Sequence, residues 1–429
     1  MKKIFFILTL SLSCNLFYAQ GWLALGTGLN SQARVLYADT ILNRLFVGGN
    51  FWAVNGHSQV GIAAWTGTSW DTSITGLNGY PVLSINEYQN NLYVSGYIEY
   101  NGFTKWNGTS WDSIDWAFGN TGAANTLIVY DSLLYCSGNF IDVNGNYSLG
   151  IAVWNGNNWI PIGLPHGVSE VEGVCYSIVF QNMIYFASSF YDTLTNTSFS
   201  LLTFDGTNWN ELGNNLGSFI HSLAVYNNEL YIGGGPLANG QFIYKWDGTN
   251  FVNVGGGINN EIDNLRVIGN KLYAVGSFTQ AGIVSVSNIA VWDGYNWSAF
   301  SSDTFNIGIG DIAVFNNELY VTGGFTKINS DTVMYIAKYN GWYLGENTIK
   351  KNGGVDIYPN PTNTTLNIHL SSYITNETLL IKDILGNEVY KEILNNSNET
   401  IDVSKWSKGM YFYQITNNQE IYNGKFIIE

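Results

Sequence analysis

The sequence predicts an all-β protein that consists of a seven-bladed β-propeller followed by a small Ig-like β-sandwich. Two short motifs alternate seven times along the chain, and residues 355–429 follow a different pattern. Aromatic residues make up 15% of the 429 residues, there are 48 glycines, and only 11% of the residues are charged. This composition is typical of sheets joined by tight turns rather than of helices.

Residues 1–19 are predicted to form a signal peptide. Lys2 and Lys3 precede the apolar run IFFILTLSLS, and Ala19 is a small residue suited to cleavage before Gln20. The apolar run is too short to span a bilayer, and no later segment approaches about 20 consecutive apolar residues. We therefore expect no transmembrane segment after the signal is removed.

The first repeated motif is an apolar run with a central aromatic residue, as in RLFVGG and ELYIGG, and it recurs every 42 to 50 residues. Its seven aromatic residues are Phe46, Tyr93, Tyr135, Tyr185, Tyr231, Tyr273 and Tyr320. The second motif is aromatic-x-Gly-x-x-aromatic, as in KWNGTSW and VWDGYNW, and its seventh copy, KYNGWYL, is degraded. Each unit offers four short alternating runs separated by turn residues, which is the signature of a propeller blade. Because one blade cannot bury both of its faces alone, seven units predict a closed ring.

The units differ mainly in one loop. In five units, 16 residues separate the end of the first motif from the first aromatic residue of the second motif. The second and fifth units have separations of 10 and 12 residues. We therefore place the length variation between the second and third strands.

The segment GWLALGTGL at residues 21–29 matches the end of other units, such as WNELGNNLG, although no unit precedes it. The seventh unit ends where its fourth strand should follow. We predict that residues 21–28 supply this strand and pair near residues 336–341, which protects an otherwise open sheet edge. The alternative is a fourth strand at residues 342–345. The propeller is expected to span residues 20–346, with a linker at 347–354.

The repeats resemble those of kelch-like propellers, which also place glycines after the second strand, an aromatic residue in the third and a Trp at the start of the fourth. The resemblance covers about residues 21–345 and concerns the fold. The tight Asp/Asn-Gly turn departs from the longer connection of kelch units.

Residues 355–429 closely resemble the C-terminal sorting domain, of type A, of the type IX secretion system. The matching residues are Tyr358, Pro359, Asn360, Pro361, Gly386, Gly409, Tyr411 and Lys425. The resemblance implies export across the outer membrane by the type IX machinery, which makes the protein secreted or attached to the outer cell surface. The alternative is a plain Ig-like module that supports the propeller.

The formal net charge of −15 disfavours nucleic acid as a partner, because an acidic surface repels phosphates. No catalytic constellation stands out, and an enzymatic role is the less favoured reading. The four histidines are dispersed and none has metal-ligand spacing, so no metal site is predicted. The Asp-Gly pairs, which resemble part of a sialidase motif, are better explained as turn residues.

Candidate ligand-binding residues come from propeller geometry, since the first strand of each blade lines the central channel. Aligning these strands on the Tyr of the first motif that follows each of them places several polar residues at one end, with Glu261 just upstream in the sixth unit. The candidates are Asn125, Glu170, Glu172, His221, Asp263, Asn264 and Asp311. Such a mouth could hold a sugar or a cation. We expect no cofactor and name calcium as the candidate cation; a solvated channel lining without a ligand is the alternative.

The sequence therefore favours a binding or adhesion module for an unidentified glycan or protein ligand. The alternative is an extracellular carbohydrate-active enzyme, a glycosidase or lyase, with carboxylates at the channel mouth. A retaining or inverting glycosidase would need two carboxyl groups about 5 to 10 Å apart. A structural spacer is the third reading.

Overall fold

In a computed structural model of the protein, the chain divides into two compact units, Met1–Trp342 and Tyr343–Glu429. The structure describes residues 21–340 and 355–428 apart from short gaps. These gaps are residues 40–41, 75–76, 100–101, 115–121, 141, 144–145, 148–149, 163, 166, 171–175, 214–215, 218, 359–361, 371–376, 384–386, 395, 397 and 417–420. The predicted signal peptide and linker lie outside the described residues.

In the described residues, the first unit contains seven antiparallel sheets of four or five strands, which we call blades 1 to 7 and whose strands we give in order from the channel outward. Blade 1 has strands Ala33–Asp39, Arg44–Gly49, Ile62–Trp65 and Trp70–Asp71. Blade 2 has Gly79–Tyr88, Asn91–Ile98, Phe103–Trp106 and Trp111–Ser113. Blade 3 has Ala123–Tyr130, Leu133–Asn139, Ile151–Trp154 and Trp159–Pro161.

Blade 4 begins with two segments, Val168–Glu170 and Tyr176–Phe180, which both pair with Met183–Asp192 and are followed by Thr197–Phe204 and Trp209–Leu212. Blade 5 has Ile220–Tyr226, Glu229–Gly234, Ile243–Trp246 and Phe251–Asn253. Blade 6 has Ile262–Ile268, Lys271–Gly276, Ile289–Trp292 and Trp297–Ala299. Blade 7 has Ile309–Phe315, Glu318–Gly323, Ile336–Asn340 and, from the start of the chain, Gly21–Ala24.

The first strands form a closed ring. Each contacts the first strand of the next blade, and Ile309–Phe315 of blade 7 returns to Ala33–Asp39 of blade 1. The second and third strands are almost wholly buried, and their aromatic residues pack between blades. Phe103 of blade 2, for example, lies 5.0 Å, between ring centroids, from Trp159 of blade 3. The fold is therefore the predicted seven-bladed propeller.

The turns between first and second strands explain why the sequence places polar pairs there. In blades 5 and 7 these pairs are Asn227–Asn228 and Asn316–Asn317, and all four residues have positive φ. Two consecutive residues with positive φ form the type I′ turn, whose twist matches that of an antiparallel hairpin and which asparagine tolerates well.

The start of the described chain forms the last strand of blade 7. Gly21–Ala24 runs antiparallel to Ile336–Asn340, with Trp22 opposite Tyr339. The pairing predicted for residues 21–28 is thus present over its first four residues, after which a Leu25–Gly28 turn leads towards blade 1. The alternative strand at residues 342–345 lies outside the described residues.

The loop of variable length carries a small hairpin in four of the five units with 16-residue spacing. These hairpins are Ala53–Val54 with His57–Ser58, Asp142–Val143 with Asn146–Tyr147, Gln280–Ala281 with Val284–Ser285, and Lys327–Ile328 with Asp331–Thr332. Blade 4 instead extends its second and third strands. Blade 5, with the 12-residue spacing, has a single 3-10 turn at Ala238–Gly240.

The second unit contains two antiparallel sheets. One has the order Val355–Tyr358, Thr365–Leu370 and Asn398–Asp402; the other has Glu388–Leu394, Glu377–Lys382, Gly409–Thr416 and Ile421–Ile428. Leu366 and Ile368 from the first sheet share a core with Leu379, Ile381 and Phe426 from the second, which is the arrangement of a β-sandwich. No helix in the described part of the chain is both long and apolar enough to cross a membrane.

Candidate functional site

The first strand of most blades contains a β-bulge at one position near its start. The pairing register with the second strand shifts at Arg34, Asn125, His221, Asp263 and Gly310. Blade 2 has the same shift at Leu83, and the equivalent Cys175 of blade 4 lies outside the described residues. A bulged residue leaves the ladder and re-aims its side chain. The bulges therefore define one level of the channel, and we call this level the channel mouth.

Three side chains of blades 5 and 6 converge at the channel mouth. His221, Glu261 and Asp263 each place one donor atom within 4.8 Å of the donor atoms of the other two. His221 Nδ1 lies 3.1 Å from Glu261 Oε1. Side-chain exposure is 26% for His221 and 44% for Glu261, so solvent reaches the group.

Burial shifts the pKa values of His221 and Asp263 in the directions that favour their uncharged forms. Burial, followed by the negative charge of Glu261, raises the pKa of Asp263 to about 7, although Arg34 opposes the shift. Burial lowers the pKa of His221, against the opposing charge of Glu261. Burial also raises the pKa of Tyr176 to about 12, and the positive charge of Arg34 acts against this shift. Near neutral pH, His221 is therefore uncharged and Asp263 is close to its midpoint of ionisation.

One residue further along the first strands, the side chains join neighbouring blades. The Ser84 hydroxyl accepts the backbone N–H of Leu127 at 3.0 Å, and the Ser222 hydroxyl accepts that of Leu265 at 2.9 Å. Asp311 completes the pattern between blades 7 and 1 by accepting the N–H of Leu36 at 2.8 Å. These side chains join neighbouring blades and satisfy backbone donors of the next first strand.

Asp311 is the centre of a buried polar network and has no exposed surface. Its carboxylate accepts two hydrogen bonds from the Arg266 guanidinium, each 3.0 Å long. It also accepts bonds from the Asn264 side-chain amide and from the backbone of Leu36 and Ile312, each 2.8 Å long. The charge of Asp311 raises the pKa of Arg266. Five donors thus occupy the carboxylate within the protein.

The predicted site residues lie in different places in the structure. It brings His221 and Asp263 together at the channel mouth with Glu261, which the sequence placed next to the candidates. It places Asn264 and Asp311 in the buried network and Asn125 at the bulge of blade 3. Glu170 ends Val168–Glu170, opposite Phe190 in blade 4. Glu172 lies outside the described residues.

Sequence reasoning missed Arg34, which occupies the bulge position of blade 1. The alignment counted back from the aromatic residue of the second strand, which lies ten residues after His221 at Tyr231. In blade 1 four residues instead of two connect the first and second strands, so the same count from Phe46 reaches Leu36.

In the second unit, four of the predicted sorting residues lie in described strands. Tyr358 ends Val355–Tyr358, Gly409 begins Gly409–Thr416, and Lys425 lies opposite Phe412. The Tyr411 ring is buried and stacks on Phe426 at 5.6 Å. Pro359, Asn360, Pro361 and Gly386 lie outside the described residues.

Residues 356–429 match the family model described as a secretion system C-terminal sorting domain. No curated protein matches the chain. Among solved structures, PorZ of Porphyromonas gingivalis, described as an essential surface component of the type IX secretion system, is 14% identical, with a TM-score of 0.46 over 90% of this chain and 58% of PorZ. The extracellular domain of BT4673 from B. thetaiotaomicron is 12% identical, with a TM-score of 0.48 over 96% of this chain and 58% of that domain. An Ig-like β-sandwich protein from Bacteroides vulgatus is 20% identical, with a TM-score of 0.17 over 19% of this chain and 88% of that protein.

The chain thus spans 58% of the length of the first two structures. The family match confirms the predicted sorting domain and implies interaction with the secretion machinery. The protein is accordingly secreted or attached to the outer cell surface.

Proposed function

We propose that this protein is a surface-exposed binding or adhesion module that binds a glycan or protein ligand at the channel mouth. One observation carries the proposal: His221, Glu261 and Asp263 converge at the end of the channel, where solvent reaches them. The nearby Asp311 network is saturated by protein donors, whereas these three side chains retain capacity for a ligand. We also propose that the repeats are kelch-like and that the chain consists of a signal peptide, a propeller, a linker and a sorting domain.

The chemistry of the mouth suits polar ligands. Carboxylates accept hydrogen bonds from sugar hydroxyls or from backbone and side-chain N–H groups, and imidazole can donate or accept. The partial burial of the three side chains strengthens such bonds relative to bulk water. Arg34, at the same level of the ring, adds a cationic donor with fork geometry.

A carbohydrate-active enzyme is the second candidate. The observation that favours it is the approach of Glu261 and Asp263 oxygens to within 4.8 Å, since retaining glycosidases hold their two carboxyl groups about 5 Å apart. The raised pKa of Asp263 suits a general acid, and Glu261 would be the nucleophile.

The test is a screen of the purified protein against a glycan array and a panel of surface proteins. We expect one ligand class to be retained, and the isosteric substitutions Glu261→Gln and Asp263→Asn to weaken its binding about 10-fold or more, the cost of losing one or two charge-assisted hydrogen bonds. Asp293→Asn, in an exposed turn of blade 6, is the control and should leave binding unchanged. Release of shorter sugars from a glycan, abolished by either mouth substitution, would favour the enzyme instead. Ligand binding that neither mouth substitution changes would place the functional surface elsewhere.

A further inference from the structure

We propose that His221, Glu261 and Asp263 form a binding site for a divalent transition-metal ion of the zinc class. The inference deepens the proposed function, since the metal would lie in the same channel mouth and present an open coordination position to a ligand. It departs from the sequence-based expectations of no metal site and of calcium as the candidate cation.

The first argument is the geometry of the donor atoms. In a tetrahedral zinc site, ligand atoms about 2.0–2.2 Å from the metal lie roughly 3.3–3.6 Å from one another. The His221 Nδ1 to Glu261 Oε1 distance of 3.1 Å is already near this value. All three donors lie within 4.8 Å of one another, so shifts of about 1 Å in the side-chain atoms would bring them to these distances.

The second argument is that the backbone holds the three residues next to one another. Glu261 and Asp263 flank the fully buried Ile262, and each places a carboxylate oxygen in the group at the channel mouth. His221 occupies the equivalent bulge of blade 5, whose first strand contacts that of blade 6. Blade stacking therefore positions all three donors before any ion binds.

The third argument is the charge balance. The buried Asp311 is neutralised by Arg266, but no hydrogen bond from a described residue reaches the Asp263 carboxylate. Arg34 directs its Nε to Asn50 at 2.9 Å; its charge acts on Asp263 from a distance but forms no ion pair with the group among the described residues. Two carboxylates that share a partly buried site without a bound cation repel each other, and a divalent ion removes that repulsion.

The donor set selects the kind of metal. Calcium prefers six to eight oxygen ligands, whereas an imidazole nitrogen with two carboxylate oxygens suits zinc and neighbouring transition metals. Three protein ligands leave a fourth position for water or for a donor atom of a bound ligand, as in open zinc sites.

The experiment measures metal binding alone, with no other ligand present. The exported full-length protein is stripped with a chelator and titrated calorimetrically with zinc chloride and, separately, with calcium chloride at pH 7.5. We expect one zinc ion per chain and weaker or undetectable calcium binding. His221→Ala and the isosteric Glu261→Gln should each weaken zinc binding about 10- to 100-fold, while His57→Ala, in the exposed hairpin of blade 1, should not.

Circular dichroism of each variant confirms that it remains folded, and Glu261→Gln serves as the decisive variant if His221→Ala unfolds. The proposal is overturned by zinc binding that survives both mouth substitutions, by calcium binding more tightly than zinc, or by no metal binding at all. None of these results decides the outcome of the ligand screen, because the screen is run without added metal. A failed screen with intact zinc binding would contradict the proposed function and not the metal site.

Discussion

At the turns between the third and fourth strands, one side-chain oxygen accepts two backbone hydrogen bonds. Asp293 Oδ1 accepts the N–H groups of Tyr295 and Asn296, at 2.8 and 2.7 Å. Asp205 and Asp247 form the same pair of bonds in blades 4 and 5, and Asn155 forms them in blade 3. The glycine that follows has a φ near +100° in each of these turns. The Asp-Gly pairs are turn residues, as the sequence predicts.

We predict that the turn aspartates make the folded protein less stable in acid. Backbone hydrogen bonds from the turn are the main cause that lowers the pKa of Asp205, Asp247 and Asp293 below 3.8. A carboxyl with a lowered folded pKa stabilises the protein above its unfolded pKa, and this contribution is lost as the pH falls through the folded value. A triple Asp→Asn variant keeps the acceptor oxygens. We therefore expect its urea midpoint to fall less between pH 5 and pH 2.5 than that of the wild type.

The reverse substitution is the control for this effect. Asn155→Asp introduces a carboxylate into the equivalent turn of blade 3, so its urea midpoint should fall more steeply in acid than that of the wild type. Identical pH profiles for all three proteins would show that the turn carboxylates do not contribute to acid sensitivity.

Alignment of repeats located His221 and Asp263 because the bulge recurs at the same place in the first strands. It could not assign Asp311 to a structural role, since its partner Arg266 is 45 residues away and is brought to it only by the stacking of blades 6 and 7. Repeat position is readable from one sequence, whereas hydrogen bonds between blades depend on the closed ring.

At the scale of elements, an asparagine fastens the small hairpin of one blade to the chain arriving from the previous blade. Asn306 Oδ1 accepts the backbone N–H groups of Thr326 and Lys327, both at 2.9 Å. The residue before it, Phe305, forms an isolated bridge with Ile328. Asn259 and Asn30 repeat the arrangement in blades 6 and 1. The sequence predicted the loop with extra length but not this fastening, because a single polar residue in a connection carries no strand periodicity.

We predict that Asn306→Ala destabilises the protein by about 1 kcal/mol, the typical net value of such hydrogen bonds at a solvent-accessible site. Amide exchange of Thr326 and Lys327 should accelerate, because their N–H groups lose their acceptor. Asn306→Asp retains the acceptor oxygen and should preserve slow exchange at both amides. Equal exchange rates in the alanine variant and the wild type would contradict a fastening role for Asn306.

At the scale of the whole molecule, the ring is completed by residues that are distant in sequence. Gly21–Ala24 covers the edge of Ile336–Asn340, which would otherwise present unpaired backbone groups. Trp22 is 8% exposed, and its ring lies 5.7, 5.4 and 4.9 Å from the rings of Phe300, Phe305 and Tyr339. Repetition alone predicted this junction, since the start of the chain matches the missing end of the seventh unit.

Closure through Trp22 predicts a large effect from one residue near the start of the chain. Trp22→Ala removes a buried ring from the core between blades 6 and 7, and we expect a loss of about 3–5 kcal/mol in the free energy of unfolding. The indole N–H has no hydrogen-bond partner among the described residues, so the cost should come from packing.

Leu23→Ala is the control from the same strand. Its side chain is 45% exposed, so it should cost less than about 1 kcal/mol. Urea unfolding measures both values, and size-exclusion chromatography should show self-association of the Trp22 variant if the strand detaches and leaves its partner edge open. Equal stability of the two variants would mean that the ring holds without this strand.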